Sequence, residues 1–211
     1  MVITELKPTR REGRVNVYID GEYAFTVYAD TVSEYDLFPE NVFDESKKDE
    51  ILEKDSGRYA KAKAFDYLSR GASTVLGMKR RLLEKKIPVS TVNKTLDYLV
   101  ENGFLNDAEY AENAVSFLHE VKRYGKSRIE QVLFEKGVPK DIAEEAVERY
   151  FADCERPDVL SELVGDIAAK YDLSDRATKD KLIKKLLRQG FSYDEIKTAL
   201  AEYISNEEND G

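Results

Sequence analysis

The chain has 211 residues, 42% hydrophobic and 36% charged, with a formal net charge of −9. This composition supports a folded core with long solvated helix faces and excludes a uniformly basic, histone-like DNA binder. No apolar run approaches the roughly 20 residues needed to cross a bilayer. The lone Cys154 excludes an internal disulfide framework, and the N-terminus MVITELKPTRREG lacks a signal-peptide apolar core, so the expected location is cytoplasmic.

The first 57 residues read as β structure followed by a short helix. Arg14–Ile19 and Glu22–Ala29 are rich in β-branched and aromatic residues and flank Asp20-Gly21. That dipeptide is a strong hairpin signal, because a type I′ turn needs positive φ at both positions. Val2-Ile3-Thr4 is a candidate third strand. Val15, Val17 and Ile19 are expected on one face, with Tyr18, Tyr23 and Phe25 on the other, so a helix should cover at least one side. Asp44 is placed to cap a helix near 44–55, and Asp55-Ser56-Gly57 reads as a stop and linker.

From residue 58 the pattern is helical and repeats. Leu82-Leu83, Leu133-Phe134 and Leu186-Leu187 each end a helix. A break follows at Lys86, Gly137 or Gly190, then an apolar residue (Ile87, Val138, Phe191), then a new helix. These apolar landmarks lie 51 and 53 residues apart. A helical pattern with a period near 50 residues defines units that bury their faces on one another. Helices are expected near 58–70, 74–86 and 90–102, then 107–121, 126–136 and 140–152, then 157–170, 175–189 and 192–204. Ser73 or Thr74, Ser90, Asp107, Asp175 and Ser192 are candidate N-caps, and Pro157 suits a first turn. Val92, Leu96 and Leu99 recur at i, i+4 and i+7. The tail from Ser205 to Gly211 is polar and expected to fray. The predicted fold is mainly α: three tandem three-helix repeats (58–104, 105–154, 155–211) forming an elongated curved rod, behind a small N-terminal β-hairpin or three-stranded sheet plus short helix (1–57).

No catalytic constellation emerges. A single histidine, His119, excludes a multi-histidine metal site, and no Ser-His-Asp set can be ruled in by spacing. It sits late in a helical pattern and reads as structural, as does Cys154. There is no glycine-rich phosphate loop. Neither an enzyme nor a cofactor is therefore expected.

Charge is unevenly distributed. Residues 59–104 hold 9 Lys/Arg and 4 Asp/Glu, a balance of +5, whereas 1–58, 105–154 and 155–211 stand at −6, −4 and −4. Basic clusters recur on or near the middle helix of each unit. They comprise Lys79, Arg80, Arg81, Lys85 and Lys86; then Lys122, Arg123, Lys126 and Arg128 around Tyr124-Gly125; then Lys179, Lys181, Lys184, Lys185 and Arg188. Stacked units would align them into an interrupted stripe able to meet phosphates. They equally suit the solvated faces of amphipathic helices. With few interleaved aromatics, base stacking has little support.

Four segments, in order over residues 58–205, resemble the RecX regulatory family. Ala64-Phe65-Asp66-Tyr67-Leu68-Ser69-Arg70 is similar to its A-x-x-x-L-x-x-R opening. Gly103-Phe104-Leu105-Asn106-Asp107 resembles its G-[FY]-L-[ND]-D segment. Gly125, Arg128, Ile129, Leu133, Lys136, Gly137 and Val138 match its G-x-x-R-I-x-x-x-L-x-x-K-G-[IV] signature. Arg188, Gly190, Phe191 and Ile196 follow its R-x-G-F-x-x-x-x-I element. Gly77-Met78 departs from the family's Glu-Leu and weakens local helix propensity. The hairpin region is similar to extensions on some members. The resemblance implies a monomeric, non-enzymatic regulator that binds the RecA filament on single-stranded DNA. It would inhibit ATPase, strand-exchange and coprotease activities in DNA repair and recombination, with weak DNA contact of its own. The different reading left by the basic clusters is a stand-alone nucleic-acid-binding helical module.

Overall fold

The structure, a computed structural model, describes residues 1–10, 13–153, 157–171 and 175–210, the last five as backbone only. Cys154 lies outside the described residues. The chain divides into two compact units. One holds residues 1–71 with 78–102, and the other holds residues 72–77 with 103–211.

In the first unit, β1 (Ile3–Pro8), β2 (Arg14–Ile19) and β3 (Glu22–Tyr28) form an antiparallel sheet in that order. Asp20 and Gly21 have φ of 47° and 86°, which fits the type I′ turn. The expected faces need one correction. Val17 pairs with Phe25 but Tyr18 pairs with Tyr23, so Ala24 is an extra, bulged residue. A bulge breaks the two-residue alternation. Phe25 therefore joins Val17, Ile19 and Val27 on the buried face, while Tyr18 and Tyr23 meet edge-on across the strands. Val32, Leu37, Phe43 and Ile51 complete this core.

A helix not foreseen, α1 (Ala29–Glu34), follows β3 directly; six residues are too few to display a helical period. Asp44 caps a 3₁₀ turn, Glu45–Lys47, by accepting from the Ser46 N–H. Then α2 (Lys48–Leu68) runs unbroken through Asp55-Ser56-Gly57, where a stop was expected. The reason lies in the sheet. The Asp55 side chain, 3% exposed, accepts from the Tyr28 N–H at 2.6 Å, Thr31 Oγ1 at 3.0 Å and Arg14 Nη1 at 2.9 Å. Its carboxylate is occupied by β3, α1 and β2 rather than by its own backbone, so it ties the helix to the sheet instead of ending it. The Arg14 guanidinium lies over the Tyr28 ring at 4.6 Å and near the Tyr59 ring at 5.5 Å.

The helices α3 (Val75–Glu84) and α4 (Val89–Glu101) follow. Val92, Leu96 and Leu99 are buried as their spacing predicts. Pro88, not Ser90, occupies the N-cap of α4, where its fixed φ starts the helix. Gly77 does not break α3: the Thr74 hydroxyl accepts its N–H, and a Cβ there would stand 2.9 Å from that oxygen.

The second unit holds α5 (Asp107–Ser116) and a π turn (Phe117–Val121), then α6 (Lys126–Lys136) and α7 (Lys140–Ala152). The helices α8 (Val159–Ala168), α9 (Arg176–Arg188) and α10 (Tyr193–Asp210) complete it. Two clusters fill its core. One centres on Val115, Ile129, Leu133 and Val147, the other on Val164, Leu182, Leu186 and Ile196. Asn106, rather than Asp107, caps α5; Asp158 caps α8, so Pro157 precedes that helix instead of lying in its first turn. Asp175 caps α9, and Ser192 with Glu195 forms a reciprocal capping box on α10. The helix α10 continues to Asp210 past the expected fraying point, since no Gly or Pro interrupts it before Gly211.

The repeated breaks are helix ends of one kind. Lys86, Gly137 and Gly190 all have positive φ (59°, 85° and 93°). The Val138 N–H bonds back to the Leu133 carbonyl and the Phe191 N–H to the Leu186 carbonyl, the six-to-one bond of a Schellman end. The first member of each apolar pair is buried, and the second is exposed: Leu83 37%, Phe134 74%, Leu187 43%.

Candidate functional site

Two joints in the second unit determine where several basic residues stand. Gly125 leaves the start of α6 without a side-chain cap. The end of α9 supplies the acceptors instead. Gln189 O accepts the Gly125 N–H at 2.8 Å, and Gly190 O accepts Ser127 Oγ at 3.0 Å and, more loosely, the Ser127 N–H at 3.3 Å. Backbone approaches backbone here. A Cβ on Gly125 would lie 2.5 Å from Gly190 O, and one on Gly190 would lie 2.5 Å from Arg128 Cβ. The negative end of one helix thus faces the positive end of the next. The far end of α6 repeats the arrangement with the first turn of α3. Thr74 Oγ1 donates to Lys136 O at 2.7 Å, and Gly137 packs on Leu76. Asp107 accepts the Val75 N–H at 2.9 Å, so it caps α3 rather than its own helix. Partial burial raises its carboxyl above the ordinary range, opposed by that hydrogen bond.

The α9–α6 joint brings Lys185 and Arg188, in the last turn of α9, to the turn that carries Lys126 and Arg128. These four are the predicted residues that the second unit draws together. Lys126 is exposed, with no ion pair among the described residues. Arg128 is half-buried, bonded to Gln131 at 2.7 Å and lying 5.8 Å from the Tyr124 ring centre, so it makes no intramolecular ion pair among the described residues. Arg188 Nε donates weakly to Lys184 O at 3.3 Å. Lys181 and Lys185 line a groove of about 390 Å³ with the exposed Tyr171.

The remaining candidates differ. Arg123, at φ 57°, is held by Asp166 at 2.6 Å and Glu162 at 3.6 Å, so its charge is largely neutralised. The same hydrogen bond holds the Asp166 carboxyl below its usual range. Lys122 lies over the exposed Phe117 ring at 5.5 Å. On α3, Arg81 lies 5.4 Å from the Tyr67 ring, Arg80 is exposed, Lys79 is half-buried, and Lys85 sits just past the helix end.

His119 is the residue whose setting was least foreseen. It is 1% exposed, inside the π turn. Its Nδ1 lies 2.9 Å from the Tyr124 carbonyl oxygen; a carbonyl only accepts, so Nδ1 carries the proton. Nε2 is buried with no partner. The rings of Tyr150 and Phe151 stand edge-on to it at 5.5 and 5.0 Å. The sequence signal was present, since His119 adjoins the stripe Ala111, Val115 and Leu118. Among the described residues there is no group of three or more His, Cys, Asp or Glu placed to hold a metal, and no helix is long and apolar enough to cross a membrane.

These elements define a mainly helical protein of repeated three-helix units preceded by a three-stranded antiparallel sheet. Residues 1–44 match the regulatory protein RecX N-terminal domain, and residues 106–147 match the second three-helix domain of RecX. The N-terminal region thus carries family likeness of its own, beyond the 58–205 span read from motifs. The regulatory protein RecX of Levilactobacillus brevis is 30% identical, covering 92% of this chain and 73% of that one. That of Clostridium acetobutylicum is 29% identical, covering 93% and 92%. A crystal structure of regulatory protein RecX superposes with a TM-score of 0.64 at 27% identity, over 93% of this chain and 98% of that one. RecX from Lactobacillus salivarius gives 0.63 at 26% identity, over 71% and 97%. The chain belongs to the RecX family of regulatory proteins.

Proposed function

We propose that this protein is a cytoplasmic, non-enzymatic regulator that binds the RecA filament on single-stranded DNA. It lowers the filament's ATPase, recombinase and coprotease activities and so tempers DNA repair and recombination. Membership of the RecX family carries this reading. The basic residues support it in form. Lys126, Arg128, Lys185 and Arg188 are held at a rigid joint, and Arg80, Arg81 and Lys181 stand exposed, so they offer several weak phosphate or acidic contacts along an extended partner. A net charge of −9 argues that affinity for bare DNA is modest. The protein acts as a monomer along the filament.

The deciding experiment is RecA's single-stranded-DNA-dependent ATPase with substoichiometric amounts of this protein, run beside its binding to naked DNA. Loss of ATPase at low ratios with weak DNA binding is expected. Unchanged ATPase with tight, salt-sensitive DNA binding would replace this reading with the stand-alone nucleic-acid module.

A further inference from the structure

The segment from Lys122 to Arg128 holds four cations and no carboxylate in seven residues: Lys122, Arg123, Lys126 and Arg128. Of these four, Arg123 is the one with an acidic partner among the described residues. Its Nη1 donates to Asp166 Oδ2 at 2.6 Å, and its Nη2 lies 3.6 Å from Glu162 Oε2. The two carboxylates stand one helical turn apart on α8, so both reach a single guanidinium. Arg123 meets them from a left-handed backbone, with φ of 57°. The side chains of Arg123, Asp166 and Glu162 are open to solvent, at 39%, 56% and 58% exposure.

Stability does not account for an arginine at this position. A solvent-exposed ion pair contributes little to folding, because water screens it and two long side chains must be ordered. The left-handed backbone costs an arginine at least as much, and glycine or asparagine would adopt it with less strain. The turn is already fixed from other directions. The Tyr124 N–H bonds to the Leu118 carbonyl, the His119 Nδ1–H to the Tyr124 carbonyl, and the Gly125 N–H to the Gln189 carbonyl. What the arginine adds is a further cation in the basic segment. What α8 adds is two carboxylate oxygens, met by the guanidinium fork as it would meet two oxygens of a phosphate.

We infer that Arg123 is a latent phosphate contact for single-stranded DNA, with Asp166 and Glu162 as its internal competitor. In the free protein the carboxylates hold the guanidinium in place of a phosphate. A strand engaged by Lys126 and Arg128 brings its own phosphates to the adjacent turn, and there Arg123 exchanges carboxylate for phosphate. The clasp is exposed, so the exchange needs no unfolding. It must still be displaced, so affinity for bare DNA stays low. A phosphodiester backbone is favoured over an acidic protein surface because four cations in seven residues match an anion that carries a charge at every unit. The inference rests on the reading above that this basic cluster meets phosphates.

The test uses the full chain and a fluorescently labelled oligothymidylate at low salt, without RecA. Anisotropy compares four forms: the native chain, Arg123→Gln, the pair Asp166→Asn with Glu162→Gln, and all three changes together. Removing the carboxylates is expected to tighten binding about tenfold. It should also steepen the log–log salt dependence by about 0.7, the increment of one added phosphate contact on a single strand. Arg123→Gln alone should change affinity less than about twofold, and in the carboxylate-free form it should abolish most of the gain and the added slope. If the paired variant melts early, Asp166→Asn alone, which removes the shorter contact, carries the same comparison. A gain as large without Arg123 as with it would be a general charge effect and would overturn the inference. So would an unchanged salt slope, a loss of affinity on removing the carboxylates, or a large loss from Arg123→Gln in the native chain. Tighter binding of oligoglutamate than of oligothymidylate to the carboxylate-free form would assign Arg123 to an acidic polypeptide instead. The filament reading is judged separately by the ATPase assay. Unchanged ATPase leaves a coupled gain on DNA standing, whereas inhibited ATPase without that gain removes the clasp alone.

Discussion

The helix ends at Gly190 and at Lys86 share one local geometry and differ in what lies against them. Both turn into the left-handed region, with φ of 93° and 59°. Both are followed by a buried apolar residue, Phe191 or Ile87. At Gly190 the start of α6 is pressed onto the turn, and a Cβ would run into Arg128. At Lys86 the side chain is exposed. The turn alone tolerates a lysine at a cost of about 1–2 kcal/mol, whereas the joint excludes any side chain. Glycine at this position therefore reports an abutting helix rather than the turn itself.

That contrast can be tested by substitution. Gly190→Ala should be the most damaging change, because it combines left-handed strain with a clash against backbone; a loss of about 3 kcal/mol or more in urea unfolding is expected. Gly137→Ala adds the same strain but meets the side chain of Leu76 rather than backbone, so about 2 kcal/mol is expected. If the two cost the same, the close approach at Gly190 does not govern the joint. Asp107→Ala removes the cap that α5 lends to α3 and should cost about 1 kcal/mol by the same measurement. In hydrogen exchange, the loss should appear at the amides of the α3 first turn rather than in α5. Lys86→Gly should raise the melting temperature, gaining about 0.5–1 kcal/mol as relieved strain outweighs the entropy added to the unfolded chain. A destabilised Lys86→Gly variant would mean that the lysine side chain contributes something the turn geometry does not reveal.

The smallest effect is a pH dependence. Arg123 holds the Asp166 carboxyl below its unfolded value, so this pair contributes stability above the usual carboxylate range and loses it as pH falls through the depressed folded value. The urea midpoints of the native chain and of Asp166→Asn should therefore differ at neutral pH and converge in acid. A gap that is constant with pH would show that Asp166 acts through packing rather than charge.

The repeat at Leu82, Leu133 and Leu186 was readable because helix ends that turn through positive φ have a fixed pattern: an apolar residue, a turn residue and another apolar residue at set spacing, closed by a Schellman bond at Leu133 and Leu186. Six of the helices from residue 58 onward fell within two residues of the expected limits. What escaped was non-local. Asp55 and Asp107 both looked like ordinary cap or stop residues, and both spend their carboxylates on backbone groups of distant elements. Phe25 was assigned to the wrong face because a one-residue bulge is invisible to a period of two. The basic clusters were visible as composition, but only the α9–α6 joint shows that Lys126 and Arg128 adjoin Lys185 and Arg188 while Arg123 is already spoken for. Asp166 and Glu162, which hold Arg123, lie on a helix far along the chain, and no spacing in the sequence announces them.

The unbroken course of α2 has a consequence for how this architecture can vary. One shaft carries two commitments: Asp55 addresses the sheet, and the buried Ala60 and Ala64 lie further along a helix that packs on α4. Each added residue turns a helix by about 100°. A single insertion between Asp55 and Ala60 would thus rotate one commitment out of phase with the other, though every side chain were kept. The length of this segment is constrained in angular phase as strictly as its composition, and insertions or deletions there should be tolerated only in steps that restore the turn.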